Sequence, residues 1–246
     1  MVGPEGIARL QSAHVAVIGL GAVGSYAVEA LARAGVGRLR LVDFDVIRES
    51  NINRQLYAVD STLGRAKTEV ACERVLQINP CCGVETLRVF VHTDTMQQTL
   101  AGPPHLIVDA IDAVNPKVEL LTAAVQRGIP IVSSMGAALR TDPTAVRVGP
   151  LSNSVGCPLA KRVRVALRRR GVPLQFQCVY SVEPADPVFV GEPDDDMGGE
   201  EGCTGRGRSR RVLGSLPTMT GVFGLVAANT ALRMILGELF PGEARS

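Results

Sequence analysis

The chain has 246 residues, 46% of them hydrophobic, which is enough for one large domain with a sizeable core. Its formal net charge is only +2, so the overall charge excludes any argument for a general attraction to nucleic acid. The six cysteines, at positions 72, 81, 82, 157, 178 and 203, form no C-x-x-C pair, which argues against a four-thiolate zinc site and favours a reduced, cytoplasmic protein.

The first predicted elements are a strand and a glycine-rich turn. Residues 14–20, HVAVIGL, form a continuous apolar run typical of a parallel strand covered on both faces. The N-terminus leads straight into this strand, so no signal peptide is expected. Gly19, Gly21 and Gly24 then form G-x-G-x-x-G ahead of a predicted helix. The first glycine permits the turn, the second lets a phosphate approach the backbone, and the third lets the helix pack closely, so the pattern predicts a nucleotide site.

The second predicted strand, RLRLVD, ends on Asp43, where a dinucleotide-binding protein carries the carboxylate that binds a ribose. NAD(H) is therefore one candidate ligand. The stretch DFDVIRESNINRQ goes further than such a site requires, because it adds a second carboxylate, Asp45, and three more polar residues, Asn51, Arg54 and Gln55. The simpler alternative is a polar loop whose asparagines lie in turns.

The rest of the first 150 residues alternates between helices and strands. The predicted helices are 66–78 and 116–127, and the predicted strands are 84–91, 105–112, 129–135 and 145–149. This alternation predicts an α/β fold with a mainly parallel sheet in the first half.

Lys67 and Asp112 form a second group of candidate residues. Lys67 begins the 66–78 helix, and Asp112 lies just past the apolar run HLIVD. Ligands of open α/β sheets bind beyond the carboxyl ends of the strands, so we expect Asp43, Asp45 and Asp112 to face one crevice with the glycine turn. Lys67 and Arg54 supply positive charge suited to a triphosphate, and Asp112 is a candidate Mg²⁺ ligand.

The C-terminal part, 151–246, has a different character, and we expect it to form the decorated, mixed half of a single domain spanning 1–246. A predicted helix at 159–170 carries six basic residues and no acidic one: Lys161, Arg162, Arg164, Arg168, Arg169 and Arg170. QCVYS is a candidate strand, and an acidic segment, 183–201, is predicted as a loop. A second basic run follows, with Arg206, Arg208, Arg210 and Arg211.

No charged residue occurs between positions 212 and 232, a length that would span a bilayer. The segment nevertheless contains a proline, an asparagine, three threonines and three glycines. A buried helix of a large domain is the preferred interpretation, with a helix predicted at about 218–236, and membrane contact is not expected.

Four motifs together resemble the adenylating domain of the ThiF, MoeB and ubiquitin-activating superfamily: GLGAVGS, DFDVIRESNINRQ, GRAKTE and VDAIDAV, in this order and spacing. The resemblance implies a Rossmann-like fold that binds ATP rather than NAD and activates a carboxylate as an acyl-adenylate. It also implies a role for each matching residue. Asp43 would bind the ribose, Asn51, Arg54 and Gln55 would form the phosphate-side loop, Lys67 would contact phosphate, and Asp112 would bind Mg²⁺, with Arg54, Lys67 and Asp112 catalytic. Gly19, Gly21 and Gly24 would cradle the nucleotide phosphates. Asp45 is expected to help shape the nucleotide site, through a contact with the ribose, with the metal or with the backbone of its own loop.

The C-terminal half is similar to one branch of this superfamily, the tRNA threonylcarbamoyladenosine dehydratases, in PLAKRVRVALRRRGV, CVYSVEP and RRVLGSLPTMTGVFGLVAA. This similarity implies ATP-dependent dehydration of threonylcarbamoyladenosine, beside the tRNA anticodon, to its cyclic form. The two basic segments then become candidate tRNA contacts. The family also implies a homodimer, and a sulfur-relay protein is a further candidate partner.

Two other functions stay open at this point: adenylation of a ubiquitin-like sulfur carrier at its C-terminal glycine, and a non-catalytic partner that keeps the fold. Carrier-activating members often have two C-x-x-C zinc pairs, which this chain lacks. Cys203 is expected to have no catalytic role. In parts of the superfamily an N-terminal arginine reaches ATP across a dimer interface, and relatives usually carry an arginine in a segment before the position of residues 2–6. We do not assign this role to Arg9, which is too close to the first predicted strand.

Overall fold

The centre of the fold is a seven-stranded sheet with helices on both faces, in a computed structural model that describes residues 1–184, 190–193 and 211–240. Two further strands form a separate antiparallel pair. The strands are β1 (His14–Ile18), β2 (Arg38–Val42), β3 (Gly83–Leu87), β4 (Leu106–Asp109), β5 (Ile131–Ser134), β6 (Val146–Pro150), β7 (Gln177–Ser181), β8 (Val190–Pro193) and β9 (Arg211–Leu213).

The large sheet has the order β3-β2-β1-β4-β5-β7-β6. Neighbouring strands are parallel from β3 through to β7, and β6 pairs antiparallel with β7. Ile18, the last residue of β1, is in register with Val42 of β2 and with Asp109 of β4. The carboxyl ends of these three strands are therefore level, at the point where the strand order changes direction and where ligands bind in such sheets.

Helices cover the two faces of the sheet in separate groups. The helices are α1 (Gly3–Ser12), α2 (Gly24–Arg33), α3 (Lys67–Ile78), α4 (Met96–Thr99), α5 (Val114–Gln126), α6 (Pro158–Arg169) and α7 (Pro217–Leu236). Residues of α1, α2, α3 and α7 form one hydrophobic core, and residues of α4, α5 and α6 form the other. Alternate residues of β1 enter opposite cores, Val15 and Val17 on one face and Ala16 and Ile18 on the other, which explains why this strand is apolar throughout.

The predicted fold class is confirmed, with three local differences. The chain does not lead straight into a strand, because α1 precedes β1 and is anchored by an Arg9 Nη1 hydrogen bond to the carbonyl oxygen of Leu236, 2.9 Å away. The strands predicted at 84–91 and 105–112 end early, at Leu87 and Asp109. The segment predicted as a loop at 183–201 contains β8.

The long apolar helix α7 belongs to the core. It passes the length and composition criteria for a membrane span over Pro217–Leu239, but 56% of its most apolar window is buried inside the protein. A Cβ atom at Gly224 would lie 2.4 Å from the carbonyl oxygen of Val23, so α7 packs backbone to backbone against the start of α2. This close contact favours the interpretation of α7 as a core helix.

Candidate active site

The glycine turn after β1 has the steric features that the sequence predicted. Gly19 has φ +90°, and a Cβ atom there would lie 2.9 Å from the backbone of Ala110. A Cβ atom at Gly24 would lie 1.8 Å from the carbonyl oxygen of Gly19, which no side chain tolerates. At Gly21 it would meet the side-chain amide of Gln55 at 3.7 Å, an ordinary contact. Gly19 and Gly24 are therefore required by the fold, whereas Gly21 leaves room above the turn.

Asp43 joins the glycine turn to the loop that follows β2. Its Oδ2 accepts a hydrogen bond from the backbone N–H of Leu20 at 2.7 Å, and its Oδ1 accepts one from the N–H of Asp45 at 2.9 Å. Burial raises the pKa of Asp43, although the positive charge of Lys67 and these two N–H donors oppose the rise. Each carboxylate oxygen has a second lone pair, so the side chain retains the capacity to accept hydroxyl groups of a ribose.

The second carboxylate, Asp45, contacts Lys67. The Lys67 Nζ lies 3.0 Å from the Asp45 Oδ2, and the backbone N–H of Lys67 donates to the carbonyl oxygen of Asp45 at 3.1 Å. The Lys67 side chain is 6% exposed and that of Asp45 is 40% exposed. The bridge between Val46 and Ala66 aligns the two segments. Asp45 thus orients a nearly buried ammonium group beside the loop that follows β2.

The polar loop between these residues divides into a buried part and an exposed part. Asn51 is buried, and its Oδ1 accepts a hydrogen bond from the N–H of Arg48 at 3.2 Å, which shapes the turn. Gln55 is buried beside Gly21. Arg54 is partly exposed, and its Nη1 donates to the carbonyl oxygen of Ser50 and to the side chain of Asn53, at 2.8 Å each. Its guanidinium group is therefore held by its own loop.

The end of β4 contains a buried group of polar residues that the sequence reasoning missed. Asp109 and Lys117 are completely buried, with Lys117 Nζ 2.6 Å from Asp109 Oδ2, and Ser133 completes the group. The available signal was a charged residue at the end of an apolar strand, followed by a lysine in the first turns of the next helix. Asp112 is exposed and lies two residues past Ala110, whose backbone contacts the glycine turn.

An aromatic pair at the rim was also missed. Phe44, after β2, and Phe90, after β3, are exposed by 47% and 36%. Their ring centroids are 5.0 Å apart at an interplanar angle of 79°, an edge-to-face contact. Phe44 lies between Asp43 and Asp45 in the sequence, so the aromatic pair is attached to the loop that follows β2.

The basic helix α6 begins on the same edge of the sheet. The Sγ of Cys157 accepts a hydrogen bond from the N–H of Ala160, which caps the helix, and it lies 3.5 Å from a Cβ position at Gly136, shortly after β5. Pro158, Val165 and Ala166 form the apolar part of an open groove of about 380 Å³ on this helix. Three cations also line the groove, namely Lys161, Arg162 and Arg169.

The predicted tRNA contacts differ in accessibility. Five of the six basic residues of the first segment are exposed, but Arg164 is not among them, because its Nη1 donates to the backbone and hydroxyl oxygens of Ser154. In the second segment, Arg206, Arg208 and Arg210 lie outside the described residues, as does Cys203. Arg211 is part of β9, but its side chain is not among those described.

Comparison with known proteins places these features in a family. Residues 1–245 match the ThiF family. The chain is similar to the tRNA threonylcarbamoyladenosine dehydratase of Bacillus subtilis, at 41% identity over 78% of this chain and 74% of the relative, and to that of Escherichia coli K12, at 34% identity over 97% and 91%. It is also similar to the SAMP-activating enzyme E1 of Haloferax volcanii, at 32% identity over 99% and 73%.

Solved structures agree with these relatives. The crystal structure of E. coli tRNA N6-threonylcarbamoyladenosine dehydratase, TcdA, in complex with AMP superposes with a TM-score of 0.82 and 33% identity, covering 96% of this chain and 91% of that one. The same enzyme in complex with ATP gives a TM-score of 0.82 and 32% identity, covering 96% and 90%. The Rossmann-like adenylating fold is therefore confirmed.

Proposed function

Because the chain belongs to the ThiF family, we infer that it is an ATP-dependent tRNA threonylcarbamoyladenosine dehydratase. The observation that carries this inference is the crevice at the level carboxyl ends of β1, β2 and β4. It joins an open glycine turn, the hydrogen-bonded carboxylate of Asp43 and the oriented ammonium of Lys67. The relatives named as this dehydratase match along most of the chain, including its C-terminal half.

ATP fits the crevice through contacts of three kinds. Phosphates would lie over the glycine turn, where Gly21 leaves room, and Lys67 would meet their charge together with Arg54, once Arg54 leaves its contacts within the loop. Asp43 would accept the ribose hydroxyls. The exposed rings of Phe44 and Phe90 provide an apolar surface for the adenine.

Mg²⁺ fits the same crevice through Asp112. The described residues contain no group of three His, Cys, Asp or Glu side chains arranged to hold a metal. A divalent ion would instead be held by one or two carboxylates and by nucleotide phosphates, which is the mode of binding that Mg²⁺ prefers. When bound, it would neutralise charge on the triphosphate. We therefore propose Asp112 as its protein ligand.

The chemistry proceeds in two displacements. The carboxylate of the threonylcarbamoyl group attacks the α-phosphorus of ATP, forming the acyl-adenylate while pyrophosphate leaves. An internal atom of the same side chain then attacks the activated carbonyl carbon, AMP leaves, and a proton is lost as the ring closes. The first nucleophile is already ionised at neutral pH, so the protein supplies positioning and charge neutralisation rather than a general base.

We propose that the tRNA contacts the exposed face of α6. Four cations of the helix are exposed, as is Arg170 at its C-cap, and the helix contains no acidic residue; the four are Lys161, Arg162, Arg168 and Arg169. Lys161 and Arg162 lie near the crevice edge, and the final arginines lie about 10 Å further along the helix axis. This spacing allows one nucleic-acid strand to contact both groups. We extend the same role to Arg206, Arg208, Arg210 and Arg211.

The arrangement of the chain and its assembly are further parts of the proposal. We assign the whole of 1–246 to a single adenylating domain, with ATP bound by 1–150 and tRNA by 151–246, in a cytoplasmic protein. A homodimer is supported by exposed apolar side chains on α1 and α7, namely Ile7, Leu225 and Met234, with exposures of 52%, 50% and 40%. A sulfur-relay protein as partner rests on the resemblance alone.

Mass spectrometry of tRNA nucleosides tests the function. Incubation of threonylcarbamoylated tRNA with the protein and Mg²⁺-ATP should convert the modified adenosine to its cyclic form. Lys67→Ala and Asp112→Ala should abolish the conversion, because one removes a phosphate contact and the other the Mg²⁺ ligand. ATP turnover that is triggered by a carrier protein with a Gly-Gly terminus, and not by tRNA, would instead identify a carrier-activating enzyme. Binding of modified tRNA without any conversion would identify a non-catalytic protein.

A further inference from the structure

A fully buried ion pair joins α5 to the end of β4, outside the residues assigned to ATP. Lys117 of α5 and Asp109 at the end of β4 are both 0% exposed, with Nζ and Oδ2 2.6 Å apart. The hydroxyl of Ser133 in β5 bridges them, because its Oγ donates to the same Oδ2 at 2.5 Å and lies 3.2 Å from Nζ. Three elements of the carboxyl edge thus meet in one polar contact.

Stability alone is a weak explanation for this arrangement. Removing two charges from water carries a penalty that their attraction rarely exceeds, and replacement of a buried pair by apolar residues of similar volume is often neutral or stabilising. The pair is surrounded by the apolar core formed by α5, α6 and the sheet. A purely structural role would be served as well by a hydrophobic contact.

The second oxygen of Asp109 points the network towards the crevice. Asp109 Oδ1 accepts a hydrogen bond from the backbone N–H of Ile111 at 3.0 Å, in the turn that leads to Asp112. Ala110, which lies between Asp109 and Ile111, donates its N–H to the carbonyl oxygen of Ile18 at 2.8 Å, and its backbone packs against Gly19. The Asp109 carboxylate therefore holds the backbone between β4 and the proposed Mg²⁺ ligand, at the place where that backbone packs against the glycine turn.

We propose that Lys117 is a positioning residue for nucleotide activation. Its ammonium group, with the Ser133 hydroxyl, fixes the orientation of the Asp109 carboxylate, and Asp109 fixes the 110–112 turn so that Asp112 faces the triphosphate across Gly19. This inference rests on the proposed use of Mg²⁺-ATP, but it concerns residues that touch neither the nucleotide nor the tRNA.

The test uses the double variant Lys117→Met/Asp109→Asn in the full chain. Lys117→Met alone leaves a buried carboxylate without its partner and is expected to unfold readily. The double variant removes both charges and keeps a side-chain oxygen for Ile111. Ser133→Ala, a smaller change, removes only the bridging hydroxyl. Arg40→Met is the matched control, because Arg40 is also buried and ion-paired, with Glu85 at 3.0 Å, but lies within β2 and away from the turn.

Binding of ATP is measured by calorimetry with Mg²⁺ and with EDTA, beside kcat and KM for the modification of tRNA. In the double variant we expect the gain in ATP affinity that Mg²⁺ provides to fall at least fivefold, and kcat to fall at least tenfold, while binding in EDTA stays within twofold. Ser133→Ala should lower the Mg²⁺-dependent gain in ATP affinity and kcat by smaller factors. If the double variant does not fold, the result for Ser133→Ala tests the positioning role. Arg40→Met should lower only the melting temperature.

A folded double variant with the wild-type Mg²⁺ effect and kcat would overturn the positioning role. A wild-type protein that fails to modify tRNA would overturn the proposed function instead. In that case, loss of the Mg²⁺ effect in the variants would still support the role of Lys117.

Discussion

Gly21 and Gly24 lie in the same turn but in different environments, so an alanine substitution should affect ATP binding at one position and stability at the other. In Gly24→Ala the new Cβ atom would overlap the carbonyl oxygen of Gly19, since the two would be 1.8 Å apart. Neither atom belongs to a flexible side chain, so the turn and α2 must move. In Gly21→Ala the nearest atom is the Gln55 amide nitrogen, 3.7 Å away, and the fold accommodates the methyl group.

The two variants should therefore separate stability from binding. Gly24→Ala should lose more than about 3 kcal/mol of unfolding free energy, the range reached by severe backbone conflicts. The free energy of unfolding of Gly21→Ala should lie within about 0.5 kcal/mol of the wild-type value. This variant should nevertheless bind ATP weakly, because the methyl group occupies the space proposed for a phosphate. Loss of one charge-assisted hydrogen bond costs about 1.5–3 kcal/mol, which corresponds to a rise in Kd of roughly tenfold to a hundredfold.

Thermal unfolding and calorimetric titration of ATP provide the two measurements for each variant. Wild-type ATP affinity in a folded Gly21→Ala protein would refute the placement of the phosphates over this turn. Wild-type stability of Gly24→Ala would refute the steric argument for the third glycine.

Two more predictions concern charge. Burial, reinforced by the charges of Arg38 and Arg40, lowers the pKa of His14 to about 4. As the pH falls from about 6.5 towards 4, the unfolded chain therefore binds a proton at His14 whereas the folded chain does not. This difference should remove on the order of 3 kcal/mol of the free energy of unfolding. The loss should be absent in His14→Gln when the unfolding of the variant and of the wild type is measured across this pH range. Charge reversal at Arg168, Arg169 and Arg170, at the end of α6, should weaken tRNA binding while ATP affinity stays unchanged. The salt dependence of tRNA binding should become shallower, with a slope reduced by up to about 3. A fall in ATP affinity alone would contradict the proposed tRNA surface.

The parts of the fold that sequence predicts well are those where local chemistry and tertiary role coincide. The run HVAVIGL is apolar because both faces of β1 are buried, so its composition predicts a strand inside the sheet that is covered on both faces. Gly19 and Gly24 have steric requirements that a motif records directly. The helix α1 was not predicted, because its buried residues, Gly6 and Leu10, are too few to mark a core face in the sequence.

The missed parts of the site depend on contacts between distant segments. Lys117 appears in sequence as an ordinary cation on a helix, and its burial becomes evident only when β4 and β5 supply Asp109 and Ser133. Arg164 shares the composition of the basic face but turns back to Ser154. Periodicity and charge counts locate a residue on an element, whereas the direction of a long side chain depends on the partners that the fold brings to it.

The role that we propose for the second carboxylate, Asp45, rests on the asymmetry of its pair with Lys67. A nearly buried ammonium group without a counter-charge would be costly, and a carboxylate beside a triphosphate would repel it. Both problems are reduced here because the Asp45 side chain is 40% exposed whereas that of Lys67 is 6% exposed. When a phosphate attracts the ammonium group, water can replace it at Asp45, and the backbone bond between Lys67 and Asp45 keeps the two segments aligned. Asp43 needs no such exchange, since its two oxygens already accept N–H groups of Leu20 and Asp45. In the proposed site, Asp43 therefore shapes the turn, and Asp45 keeps Lys67 oriented until the nucleotide binds.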